Sequence, residues 1–411
     1  MKKLFCIICA VFLIISLCSC EIYNGFNVSE IMETVESSLN VLEENTVLTE
    51  ISYDDPFVYN TYYDSGYTAL NDKQKEIYEQ LYLIALQMPE GYINVCDFYD
   101  GFYNDTGIAY NAMINDHPDF FWMPYTYMVG ELTDSTGSYN CIAFCIEDNG
   151  QKYDYLVTKE NRDVMRAQLE QKITEIVSEA DNYNSLYLKE KFFNDYICDN
   201  TVYDENATLS HTSYGCLISG KALCEGYSRA FKLLCNQVGI RCDLIYGRSQ
   251  NDDHMWNCVN INGNYNYVDV TWNDSGEEYR YIYFNMTDKQ MLADRELYPY
   301  FTEVGENGIQ NGDIINFVKY ECNCIKNSYF YRNGLILNEK RVKQIARKIE
   351  QYKTEGAKSI SLYIDDEKLC YRLKKSNQDI IEDIQNELSE CEISEYLLVR
   401  DVLILFLSTI D

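Results

Sequence analysis

The chain has 411 residues, of which 46% are hydrophobic and 24% charged. That balance suits folded domains with real cores and excludes a largely disordered chain. Its 65 acidic residues against 34 basic give a net charge of −31, a field that repels nucleic acid and anionic lipid headgroups, so no nucleic-acid partner is expected.

The first segment, MKKLFCIICAVFLIISLCSC, sets Lys2 and Lys3 before an apolar run from Leu4 to Leu17 and ends on Ser19 and Cys20. This is the layout of a secretory signal. The stretch Leu17-Cys18-Ser19-Cys20 resembles a bacterial lipobox, which implies a leader over residues 1–19, cleavage before Cys20 and lipid attached to that cysteine. A plain signal peptide or an uncleaved anchor is the alternative. With lipid on Cys20 the protein would be exported and held at the cell surface, on the outer face of the cytoplasmic membrane. Thirteen of the 17 cysteines remain after Cys6, Cys9, Cys18 and Cys20, an odd number, so at least one is unpaired within the chain. Cys141/Cys145 and Cys322/Cys324 are closely spaced, yet three histidines in the whole chain leave few further ligands. Neither a metal nor a cofactor is expected, and no EF-hand loop points to calcium.

Residues 20–65 are rich in Asn, Ser, Thr, Asp and Glu and read as a tether, with a short helix through IMETVESSLNVLEEN. An N-terminal α+β region is expected over 66–160. It opens with a helix over 71–88, where Ile77, Leu81, Ile84 and Met88 repeat at helical spacing and Asn71 serves as cap. The runs FFWMPYTYM, SYNCIAFCIED and KYDYLVT then read as strands by aromatic and branched content. The first of them serves either as core or as the floor of a sugar groove.

A domain over 161–305 follows, beginning with helices through ENRDVMRAQLEQKITEIVSEAD and SLYLKEKFFNDYICD. Next, ALCEGYSRAFKLLCNQVG (222–239) repeats Tyr227, Phe231, Leu234 and Val238 on one helix face, with Gly239 at the stop. Strands are predicted at DLIYGR, HMWNCVNI and YNYVDVTW, then an irregular stretch. Residues 310–411 read as a small α/β region, with strand-like SISLYID and helices through ILNEKRVKQIARKIEQYK and DIIEDIQNELSE. The apolar EYLLVRDVLILFLSTI is interrupted by Arg400 and Asp401 and is too short to span a bilayer, so it reads as a core helix or strand.

Cys224 stands at the start of its helix, where unpaired N–H groups and the positive end of the macrodipole favour a thiolate. Gly226 would let a strand or substrate approach the first turn. A cysteine nucleophile needs a base, and the base a partner that orients it. Of His117, His211 and His254, only His254 lies on a predicted strand with a carboxylate on the next one. Asn262-Gly263 is a two-residue hairpin signal, and pairing across it puts Asp269 opposite Trp256 and diagonal to His254 on one face. Asp269 would then fix the imidazole tautomer, with Trp256 and Trp272 as shields from water. Asp252 and Asp253 would favour the imidazolium if close.

GKALCEGYSRAFKLLCNQVGI, HMWNCV and YVDVTWND together resemble the three motifs of the transglutaminase-like superfamily over roughly residues 180–285. Departures are mild: Ser228 stands where Ala is usual and Met255 where Ala is frequent. The resemblance implies an α+β fold with a papain-like core, the nucleophile helix packed on an antiparallel sheet. It implies catalytic roles for Cys224, His254 and Asp269, with the Cys224 backbone N–H as half of an oxyanion site. It also implies a peptidase, amidase or cross-linking acyltransferase acting on a protein or peptide, a cell-wall peptide among the candidates. The rival is a non-catalytic cell-wall or partner-binding module on the same fold.

Overall fold

The computed structural model describes residues 48–49, 60, 62–133, 137–148, 150–304 and 314–409. The leader, Cys20 and the helix expected before residue 47 lie outside the described residues.

Strand β1 (Leu48–Thr49) pairs parallel with β2 (Tyr92–Asp97), so this part of the expected tether joins a sheet. Helix α1 (Asp72–Gln87) begins where the sequence puts it, with Asn71 and Gln74 each accepting from the other's backbone N–H. Its stripe of Ile77, Leu81 and Ile84 is buried. Two features depart from the sequence reading. The first is helix α2 (Phe102–Asp116), in a stretch of the N-terminal region to which the sequence reading assigns no element. The second is the run at 120–127, which is irregular, buried chain, its Trp122 Nε1 donating to the Ala85 carbonyl at 2.8 Å. Strands β3 (Met128–Thr133) and β4 (Ser138–Ala143) complete a sheet in the order β1-β2-β4-β3.

Helices α3 (Lys159–Ala180) and α4 (Leu186–Asn200) start on Thr158 and Ser185, whose hydroxyls accept from the first-turn N–H groups of Asn161 and Leu188. They flank α5 (Cys224–Gln237), which is buried on every side from Cys224 to Cys235. The charges it carries are therefore paired inside: Arg229 with Glu225 at 2.7 Å, and Lys232 Nζ 3.6 Å from Asp243. Gly239, at φ 84°, stops the helix.

Beneath α5 lies a sheet of β5 (Cys242–Ser249), β6 (Asp252–Ile261), β7 (Asn264–Val268) and β8 (Arg295–Leu297), in the order β7-β6-β5-β8 and antiparallel throughout. The β6–β7 hairpin turns on Asn262 and Gly263, both at positive φ, and pairs Asn257 with Val268 and Ile261 with Asn264, the register the sequence predicts. YNYVDVTW is not one strand, because Asp269 caps a helical turn, Val270–Asn273, by accepting from Trp272 N at 3.2 Å.

The last region holds β9 (Ile336–Leu337), α6 (Val342–Thr354), β10 (Ser359–Ile364), α7 (Glu367–Lys374), α8 (Asp379–Glu387), β11 (Cys391–Val399) and β12 (Val402–Thr409). The sheet order is β9-β10-β12-β11. The charged pair Arg400-Asp401 forms the turn of the β11–β12 hairpin, which explains why it interrupts an apolar segment.

Two cores meet at the central sheet. One runs from Tyr67 to Phe317 and packs α1, α2 and α5 against Val259, Ile261 and Val268. The other collects Ile245, Trp256, Cys258 and Tyr267 with Leu403 and Leu405 of the C-terminal sheet. A chain ending at Val304 would uncover that second set of side chains. It should lose the cooperative thermal transition of the full chain, measured by circular dichroism, and an unchanged midpoint would contradict the shared core.

Candidate active site

Cys224 is the first helical residue of α5. The residue before it, Leu223, offers no side-chain cap, so the first-turn N–H groups are left to the thiol and to whatever approaches it. Gly226 permits close approach by two neighbours. A Cβ there would collide with the Ser210 carbonyl of the loop at 210–212 and sit 2.9 Å from the Cβ of Ala222, which lies on the short strand Lys221–Ala222. Tyr227 donates to Asp274 at 2.6 Å, which ties the helix start to the turn after β7. Ser228 Oγ donates to the Met255 carbonyl at 3.0 Å, and Asn257 Nδ2 to the Ser228 carbonyl at 3.0 Å. These two bonds fix the helix against β6 beside His254.

His254 Nε2 lies 2.9 Å from Asp269 Oδ2. With that nitrogen committed, Nδ1 is the one left for Cys224, whose sulfur is near enough to raise the imidazole's pKa. All three groups are withdrawn from water: Cys224 is 9% exposed, the His254 side chain 8% and Asp269 0%. Trp256 stacks on His254 at 5.9 Å between centroids and Trp272 meets it edge-on at 6.4 Å. The structure thus brings together the three residues the sequence singles out.

Burial pulls the His254 imidazole towards its neutral form, but Asp269 and Cys224 outweigh burial and push its pKa up to about 10. Asp269 is held below the usual carboxylate range: burial pushes it up, and His254 and Arg295 together pull it down further. Asp253 plays no such part, since its carboxylate engages Arg248 at 3.5 Å and the Tyr298 hydroxyl.

Sequence reasoning missed Arg295, whose Nη2 donates to Asp269 Oδ2 at 2.7 Å with both side chains fully buried. It sits on the short strand β8, in a stretch read as irregular, where no motif marks it. It missed as well that Glu225 is locked between Arg229 and the Tyr125 hydroxyl, which joins the first turn of α5 to the buried run at 120–127. His117 and His211 lie elsewhere, the first stacked on Phe120 and the second tilted against the Tyr125 ring at 5.2 Å between centroids. The thirteen cysteines among the described residues are all thiols, with Cys258 and Cys322 sulfurs 3.6 Å apart, and no cluster of metal ligands occurs among the described residues.

A cysteine at a helix start, faced by a histidine whose far nitrogen a carboxylate holds, is the arrangement of papain-like cysteine enzymes. Residues 171–276, about a quarter of the chain, match the sequence model of the Transglutaminase-like superfamily, and the chain carries a domain of that superfamily there. Among solved structures, a transglutaminase is similar at 16% identity, with 45% of this chain and 52% of that one covered and a TM-score of 0.25. A candidate cysteine protease from Cytophaga hutchinsonii is similar at 14% identity, with 35% and 61% covered and a TM-score of 0.24. A candidate protease from Parabacteroides distasonis is similar at 11%, with 36% of each chain covered and a TM-score of 0.19. The chain thus spans between about a third and two thirds of these structures. No curated protein sequence matches it.

Replacing Gly226 by Ala forces the loop carbonyl at Ser210 away from the helix start. The variant should lose about 1–3 kcal/mol of stability in urea unfolding. A change below about 0.5 kcal/mol would show that the helix start tolerates a side chain there.

Proposed function

We propose that the protein is an exported cysteine enzyme acting on amide bonds, anchored at the outer face of the membrane by lipid on Cys20. The observation that carries the catalytic part is the site itself: Cys224 as first residue of a buried helix, beside an imidazole whose Nε2 is held by Asp269 at 2.9 Å. In this reading the Cys224 sulfur, as thiolate, attacks the carbonyl carbon of a peptide or side-chain amide. The Cys224 N–H meets the developing oxyanion. The C–N bond then breaks, His254 gives its proton to the leaving amine, and a thioester remains on Cys224. Neutral His254 next takes a proton from water or an amine as its oxygen or nitrogen attacks the thioester carbon; the C–S bond breaks, the electron pair returns to the Cys224 sulfur as thiolate, and an acid or a new amide is released. We favour hydrolysis, since water is always present. A protein or peptide is the substrate, a cell-wall peptide being one candidate.

The full chain incubated with casein and a tagged primary amine separates the two outcomes. New peptide termini without tag support hydrolysis, and incorporated tag supports transfer. Neither product, with a Cys224→Ala chain indistinguishable from the parent, would leave only a binding module. Iodoacetamide near neutral pH should modify Cys224 ahead of the other thiols, whereas equal reactivity would contradict an activated sulfur. Asp269→Asn keeps the shape of the carboxylate without its charge. It should lower kcat by at least about 100-fold while leaving KM within a factor of a few.

The pH dependence follows from His254. Its pKa is raised in the folded chain to about 10. The proton needed by the leaving amine is therefore present through neutral pH and lost as pH rises through about 10. kcat/KM should fall with an apparent pKa near that value. The contribution of His254 to stability has the same sign, complete below the ordinary histidine range and lost as pH rises through the folded value. An activity limb near 7 instead would mean that Asp269 does not hold the imidazolium.

A further inference from the structure

The charges beside His254 do not stop at Asp269. We propose that Arg295, Asp294 and Arg400 form a tuning line from the turn of the C-terminal hairpin to the His254 imidazole, with Arg295 as a positioning residue that acts through Asp269. This rests on the catalytic reading of Cys224, His254 and Asp269.

Arg295 Nη2 donates at 2.7 Å to Asp269 Oδ2, the same oxygen that lies 2.9 Å from His254 Nε2. Its Nη1 donates at 2.7 Å to Asp294 Oδ1, and Arg400 Nε lies 3.2 Å from Asp294 Oδ2. The signs alternate from Arg400 through Asp294, Arg295 and Asp269 to the imidazolium. The line is also held sterically. The Arg295 guanidinium lies over the rings of Trp272 at 5.2 Å and Tyr283 at 4.5 Å, and Arg400 lies over Tyr283 at 5.4 Å. Arg400 is placed by the hairpin itself, at φ 57° in the turn closed by Val399 and Val402. The C-terminal sheet therefore contributes a charge to the line as well as covering the side of the central sheet that buries Trp256.

A buried carboxylate with the imidazolium as its sole counterion would hold that proton too firmly to release it to a leaving amine. Arg295 shares the oxygen and weakens the hold. Asp294, its side chain 40% exposed, draws on Arg295 in turn, and Arg400 draws on Asp294. The other charged or titratable groups around His254 are Cys224 on α5 and, on its own strand, Asp252 and Asp253, the latter engaged with Arg248 and Tyr298. A change along the line reaches the imidazole with a sign fixed by position. Losing Arg295 or Arg400 strengthens the hold on the proton, and losing Asp294 weakens it.

With three histidines in the chain, the imidazole signals can be followed by NMR in the full protein, the His254 signal being the one lost in His254→Gln. Arg295→Gln should raise the His254 titration midpoint by about one pH unit. Arg400→Gln should raise it by less, Asp294→Asn should lower it, and Arg400→Lys should restore the parent value. Midpoints unmoved in both Asp294→Asn and Arg400→Gln, or moved in the same direction, would overturn the proposal, and both variants lie away from the buried Asp269 contact should Arg295→Gln fail to fold. A purely structural role for the turn would lower the melting temperature and leave the titration alone. The titration needs no turnover, so an inert Cys224 would sink the catalytic reading while leaving the charge line to stand or fall separately.

Discussion

The Asp269 carboxylate is withdrawn from water and could not remain charged without donors on both oxygens. Trp272 N supplies one bond, at 3.2 Å to Oδ1, and His254 and Arg295 supply two more to Oδ2. Each donor comes from a different piece of chain: the helical turn after β7, the start of β6, and the short strand β8. The turn, the hairpin and the sheet edge are thus drawn to one point. Because the imidazole is fixed through Nε2, its other nitrogen has one direction left, towards the first residue of α5.

That helix is the second constraint. Buried from Cys224 to Cys235, it is held there by partners inside the protein: Glu225 and Arg229 pair with each other, Lys232 faces Asp243, and Ser228 binds β6. The N-terminal helices enclose it from one side and the central sheet from the other. A cysteine at such a helix start has little freedom, which is what the near-attack geometry of the proposed reaction requires. The C-terminal sheet completes the enclosure from beyond the central sheet through Trp256, Cys258 and Tyr267.

The site was legible in the sequence because it depends on local rules. A helix face fixes where Cys224 stands, and a two-residue Asn-Gly turn fixes register, so Asp269 follows from His254 by parity. Helix α2 was not legible. Its Gly107 and several Asn and Asp residues are poor helix formers, and it is stabilised by burial of Ile108, Tyr110 and Met113 in a core assembled from distant segments. The aromatic run at 120–127 misled for a related reason, since aromatic content marks burial as readily as strand. Arg295 was invisible because its partner lies 26 positions away and no spacing rule connects them.

The proposed chemistry turns on whether the Cys224 sulfur forms a covalent bond with an acyl group. Rapid acid quench of the full chain with a peptide amide or activated ester substrate, followed by mass spectrometry of the digested protein, reads this directly. A thioester adduct is expected on the peptide containing Cys224, and it should be absent in His254→Gln. Turnover of substrate with no adduct at Cys224, or an adduct on another cysteine, would contradict the proposed nucleophile.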